Sequence, residues 1–159
     1  MRIIPDCSTK PLSECNPGQI VRNLSYNTTS YALVAASADG KANYLIFLTD
    51  EGPQYELISE ADDHLVLAYA GELVWEVDQD SPFEQSSGNL FSASGALIRT
   101  VDDWLLNVEE YQARIRKNRG QFILGSGLLG AYREHHHNVG IFGAWRLFLH
   151  DEGTPFDSN

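Results

Sequence analysis

From Tyr31 to Val77, short apolar runs of strand length alternate with turn-forming residues: YALVAAS (31–37), NYLIFLT (43–49), QYELI (54–58), HLVLAY (64–69) and ELVWEV (72–77). The separators are Asp39-Gly40, which suits a tight primed turn, DEGP at 50–53, and Ala70-Gly71, short enough for a two-residue hairpin turn. This spacing predicts an antiparallel meander over 31–77, the part around which the chain is organised. Within it, 43–49 is apolar on both faces, Tyr44, Ile46 and Leu48 on one and Leu45 and Phe47 on the other, so it should lie mid-sheet and be covered on both sides. In ELVWEV, Leu73, Trp75 and Val77 alternate with Glu72, Val74 and Glu76, the pattern of a strand with one wet face. GQIVRNLSY (18–26) reads as an earlier strand and the RII triplet near the start as a short edge strand.

Beyond the meander the pattern changes. Residues 78–95, DQDSPFEQSSGNLFSASG, are polar and aperiodic and read as a long loop. ALIR (96–99) is a short strand. From Thr100 onward, Val101, Trp104, Leu105, Val108, Tyr111 and Ile115 follow the i, i+3/i+4 spacing of an amphipathic helix over about 101–118. Thr100 with Asp103 approximates a capping box, Asp102 and Asp103 favour the N-terminal dipole, and Gly120 suits the residue after the last turn. QFILGSGLLGAY (121–132) and VGIFGAWRLFLH (139–150) flank REHHHN and predict a C-terminal hairpin over 121–150, its frequent glycines arguing for bent strands rather than helix. Residues 1–17, broken by prolines, form an irregular lead-in, and 151–159 a polar tail that frays.

The fold expected is α+β and mainly β: a bent antiparallel sheet or partly closed barrel of about seven to nine strands, with the single helix packed on it, in one domain spanning 1–159. No stretch has the roughly eighteen uncharged apolar residues of a membrane span, nor does the N-terminus hold a signal-peptide core, which points to a cytoplasmic protein. Cys7 and Cys15 are too few for a disulfide framework.

Charge narrows the partners. A net charge of −11 argues against nucleic acid and anionic membranes. No Lys or Arg lies between Lys41 and Arg99, a stretch rich in carboxylates, whereas Arg114, Arg116, Lys117 and Arg119 cluster at the end of the expected helix. An acidic region and a basic one favour meeting a partner protein or a second copy, as in a homodimer. Trp75, Asp78 and Asp80, at the end of the meander, join those four cations as candidate partner-binding residues.

Candidate chemistry is sparse. Glu134, His135 and His137, with His150 across the expected hairpin, form a two-histidine-plus-carboxylate set of the kind that holds iron or zinc. Consecutive imidazoles on a strand point to opposite faces, however, and an exposed polar turn explains the run equally. Asp78, Asp80 and Glu84 depart from the calcium-loop pattern, Gly-Ser-Gly at 125–127 lacks the lysine of a phosphate loop, and no nucleophile elbow is present. Catalytic residues are thus unassigned and no cofactor is expected. The reading that follows is a non-enzymatic binding or assembly module with a protein partner; the alternative is a metal-dependent or small-ligand-binding barrel enzyme using the 134–137 cluster.

Overall fold

The structure, a computed structural model, describes residues 7–24, 31–78, 94–111, 118–133, 140–149 and 157–158. Of the described residues, 60% lie in strands and 3% in helix, the helical part being the 3-10 turn Leu12–Glu14. The strands are β1 (Cys7–Pro11), β2 (Ile20–Asn23), β3 (Tyr31–Ala36), β4 (Asn43–Thr49), β5 (Gly52–Ile58), β6 (Leu65–Tyr69), β7 (Leu73–Val77), β8 (Leu97–Arg99), β9 (Trp104–Glu110), β10 (Arg119–Ile123), β11 (Leu128–Ala131), β12 (Gly140–Phe142), β13 (Trp145–Leu149) and β14 (Asp157–Ser158).

Six of them close a barrel in the order β3-β4-β5-β9-β10-β11 and back to β3. Four of the junctions are antiparallel, and the two that complete the ring are parallel: β5 with β9 (Gln54↔Glu109) and β11 with β3 (Leu128↔Ala36). On the edge of β3 that meets β11, β2 pairs the first half of the strand, and β6 and β1 follow outward. The meander therefore holds through β3, β4 and β5 and then departs from a simple up-and-down order. β6 leaves to pair with β1 and β2, and β7 pairs with β13, so Ala70-Gly71 joins two strands that are not partners. The turn at Asp39-Gly40 is also longer than a two-residue one: Ala36 pairs with Asn43, Gly40 donates its N–H to Ser37 O at 2.9 Å, and Gly40 takes φ 71°.

β4 behaves as its two apolar faces require. Ile46 joins Leu33, Leu106, Val108 and Phe122 in the barrel interior, while Leu45 and Phe47 join Leu12, Val21, Val34 and Val66 in a second core on the outside of the wall. That outer core is capped by the 3-10 turn, pinned by Leu12 N–H to His64 O at 2.8 Å and Ser13 N–H to Ala61 O at 3.1 Å. The protein is thus layered around β4, with one core inside the barrel and one behind it.

The expected helix does not form. Residues 104–110 are the barrel strand β9, and the part at 112–117 lies outside the described residues. Trp104 and Leu106 lie in register with Arg99 and Leu97 of β8, and Leu106 faces Phe122 of β10. The two signals read as a helix start are real but serve a hairpin. Thr100 Oγ1 accepts the Asp103 N–H at 2.9 Å, and Thr100 N–H donates to Asp103 O at 2.9 Å, closing a four-residue turn between β8 and β9. A Ser or Thr oxygen bonded to the N–H three residues on satisfies a turn as well as a helix end. Gly120 is likewise no helix terminator: a Cβ there would lie 3.0 Å from Leu129 Cδ1 and 3.2 Å from Gly130 O, so the residue is small because the barrel wall leaves no room.

The C-terminal hairpin over 121–150 is replaced by three separate pairings. β10 and β11 form their own hairpin, β12 pairs with β8, and β13 pairs with β7. Gly127, at φ 71°, closes the β10–β11 turn with its N–H on Ile123 O at 2.8 Å, and a Cβ on it would overlap Pro17 and Gly18. Its own carbonyl accepts the Ala36 N–H at 3.1 Å, so this turn is where the barrel is sealed against β3. Two residues of the 151–159 tail, Asp157 and Ser158, pair as β14 with Leu147 and Arg146.

Candidate functional site

β7, β13 and β14 make a second, three-stranded sheet. Alternation along β13 sends Trp145 and Leu147 into the same core as the barrel interior, 1% and 0% exposed. The Trp145 indole N–H donates to Gly95 O at 2.7 Å, which fixes the sheet to the segment leading into β8. Register then places Trp75 opposite Leu147, and its ring lies 5.1 Å from that of Trp145. Leu73, Trp75 and Val77 are half-buried, as the in-and-out pattern of β7 predicts.

These three side chains form one wall of a cleft of about 490 Å³. Trp104, Phe122 and Leu124, from the starting end of β9 and the finishing end of β10, line it as well. Ile46, Leu106 and Val108 of the barrel interior are fully buried, whereas this space is open. Its rim is built by the β8–β9 turn. The Arg99 guanidinium stands 5.4 Å over the Trp104 ring, a cation–π arrangement, and the exposed Asp102 and Asp103 stand beside it. A second cleft of about 400 Å³ adjoins the first, sharing Gly18 and Leu73 and lined by Asn16, Gln19 and Tyr69. Together they form a groove along one side of β7. Gln19 Nε2 bonds to Tyr69 O at 3.1 Å and holds its floor.

Of the residues singled out from the sequence, Trp75 lies in this groove and Asp78 just beyond its end, donating its N–H to Ala144 O at 3.0 Å. Arg119 opens β10, exposed, with its guanidinium 5.8 Å over the Tyr132 ring. Asp80, Arg114, Arg116, Lys117, Glu134, His135, His137 and His150 lie outside the described residues. Among the described residues no group of three or more His, Cys, Asp or Glu is arranged to hold a metal. His64 bonds through Nε2 to Asn23 Oδ1 at 3.1 Å, and both cysteines are free, with burial pushing the Cys15 thiol up.

Sequence reasoning missed Trp104, Arg99, Asp102 and Asp103 as site residues because it placed them on or before a helix. A hairpin pairing of Arg99 with Trp104 is the feature that brings them together. Compared with known proteins, the chain matches no family model, no curated protein and no solved structure. No described helix is long and apolar enough to cross a membrane.

Proposed function

We propose that this protein is a non-enzymatic binding module that takes apolar side chains of a protein partner into the groove between β7 and the barrel end. The observation that carries the reading is an open, largely apolar cleft of about 490 Å³ lined by the half-buried Trp75 and Trp104, next to core residues such as Ile46 and Leu106 that are fully buried. Such a cleft, apolar-walled with a few polar groups at one end, is the usual form of a binding site. Tryptophans in it supply large contact area at small entropic cost. The alternative, a metal-dependent or small-ligand barrel enzyme built on Glu134, His135, His137 and His150, has no observation among the described residues in its favour.

The test is a titration of the full chain with indole and with N-acetyl-phenylalanine amide, followed by the three tryptophan indole N–H resonances. The Trp75 and Trp104 signals are expected to move and the buried Trp145 signal to move least. Titration to tens of millimolar that leaves Trp75 and Trp104 unmoved would remove this groove as the site.

A further inference from the structure

The free side of β7 carries a more specific inference, which rests on the groove reading above. Among the described residues β7 is bonded along one edge only, to β13, and no described strand pairs with its other edge. Which of its backbone groups face that edge follows from the register. Asp78 N–H bonds to Ala144 O, and 78 with 144 continues the pairing of Val77 with Trp145, so this is a hydrogen-bonded pair. In an antiparallel ladder such pairs alternate with non-bonded ones. Glu76 and Val74 therefore bond toward β13, and the N–H and C=O groups of Leu73, Trp75 and Val77 point away from it. The same three residues carry the side chains that line the groove.

An edge with its backbone groups directed outward is a template for another strand. Here it lies beside a cleft that runs past Gly18, which puts no side chain into the passage between the two clefts. Strand addition of this kind takes affinity from main-chain bonds and selectivity from pockets for alternate side chains. The charge of the groove end selects further. Asp102 and Asp103 stand exposed at its rim, Arg99 is drawn over Trp104, and the chain as a whole carries −11. The geometry points to an extended, cationic peptide segment of a partner protein as the occupant, added as a strand along the free edge of β7, with alternate apolar side chains between Trp75 and Trp104 and basic ones toward Asp102 and Asp103. β7 has five residues, a length of about 16 Å, which fits a segment of five to seven residues.

The experiment passes a pooled library of blocked heptapeptides, with lysine at both ends and varied apolar residues at the third and fifth positions on the same face, over the immobilised full chain at low salt. A retained peptide is then remade with N-methyl groups on alternate amides, once in each phase. The expected result is at least a tenfold loss of affinity in one phase and little in the other, together with movement of the Trp75 and Trp104 indole signals and weaker binding when glutamate replaces lysine. Equal binding of both N-methylated forms overturns strand addition while leaving the groove as the site. So does a library from which nothing is retained although indole still shifts Trp75 and Trp104. If indole shifts neither, the groove reading falls as well. A dimer in sedimentation that Trp75→Ala dissociates overturns the peptide in favour of a second copy. The N-methyl comparison uses unaltered protein, so it stands even if Trp75→Ala fails to fold.

Discussion

In the barrel, each strand from β3 round to β11 has neighbours on both edges, and Leu33, Ile46, Leu106, Val108 and Phe122 of its interior are at most 1% exposed. In the three-stranded sheet, β7 has a neighbour on one edge, and its inner face, Leu73, Trp75 and Val77, is half-buried. The two regions share one core, since Trp145 and Leu147 of β13 pack among barrel residues, yet they differ in what they leave unsatisfied. A closed barrel leaves no free strand edge for recognition. The appended sheet leaves an edge of β7 with no partner among the described residues and a half-buried face, which is why the proposed binding is assigned to it rather than to the barrel.

The largest effect that can break this comparison is on stability. Leu106 is fully buried in the barrel interior, and Leu106→Ala should cost about 2–5 kcal/mol, the transfer term plus a cavity that paired strands on both sides cannot collapse. Trp75→Ala removes a larger side chain, but one already half in water, and should cost less than Leu106→Ala while abolishing peptide retention. Urea denaturation of both variants measures it. If Trp75→Ala proves the more damaging, the small sheet is part of the structural core and not a binding face.

A middling effect concerns pH. Tyr69, beside Tyr31 where β6 meets the core, has its phenol pushed up to about 12 from 10, first by burial and then by the neighbouring Tyr31. A raised folded-state value means the native protein holds this proton more tightly than the unfolded chain. The resulting stability is complete below about pH 10 and is lost as pH rises through about 12, on the order of 2 kcal/mol. Tyr69 lies at the floor of the groove's second cleft, so its ionisation should loosen that end first. The check is the urea midpoint of the parent and of Tyr69→Phe from pH 9 to 12. The variant should lose less stability over that range, and parallel losses would show that the phenol is not the group responsible.

How far the sequence discloses this arrangement depends on whether the cause is local. The strand at 73–77 is legible because its alternation is a local consequence of the pleat, and that at 43–49 because Asp39-Gly40 and DEGP bound an apolar run of strand length. β9 is misread because Leu105, Leu106, Asn107 and Val108 are all buried. Burial on both faces erases the period of two, and an apolar run without a period fits helical spacing by chance. The barrel closures Gln54↔Glu109 and Leu128↔Ala36, and the pairing of β7 with β13, join segments far apart in the chain and leave no local mark. The groove was half legible. Trp75 belongs to a strand with a clear pattern, whereas Arg99, Asp102, Asp103 and Trp104 meet only through a turn whose signature is shared with helix caps.

The smallest effect tests that shared signature and sharpens the boundary between the regions, since the turn at Thr100 joins β8, outside the ring, to β9 within it. Thr100→Ala removes the oxygen that accepts the Asp103 N–H but leaves the backbone bond from Thr100 N–H to Asp103 O. The hydroxyl also donates to Asp103 O at 3.1 Å, so the loss should be about 1–2 kcal/mol, the worth of two exposed turn hydrogen bonds. Because the turn sets Asp102 and Asp103 at the groove rim, the same variant should weaken a lysine-bearing peptide more than indole, which needs only Trp75 and Trp104. Far-ultraviolet circular dichroism should be unchanged, as there is no helix at this position to lose. A drop in helical signal would restore the helix at 101–118, and equal weakening of peptide and indole would mean that the turn shapes the apolar walls rather than the charged rim.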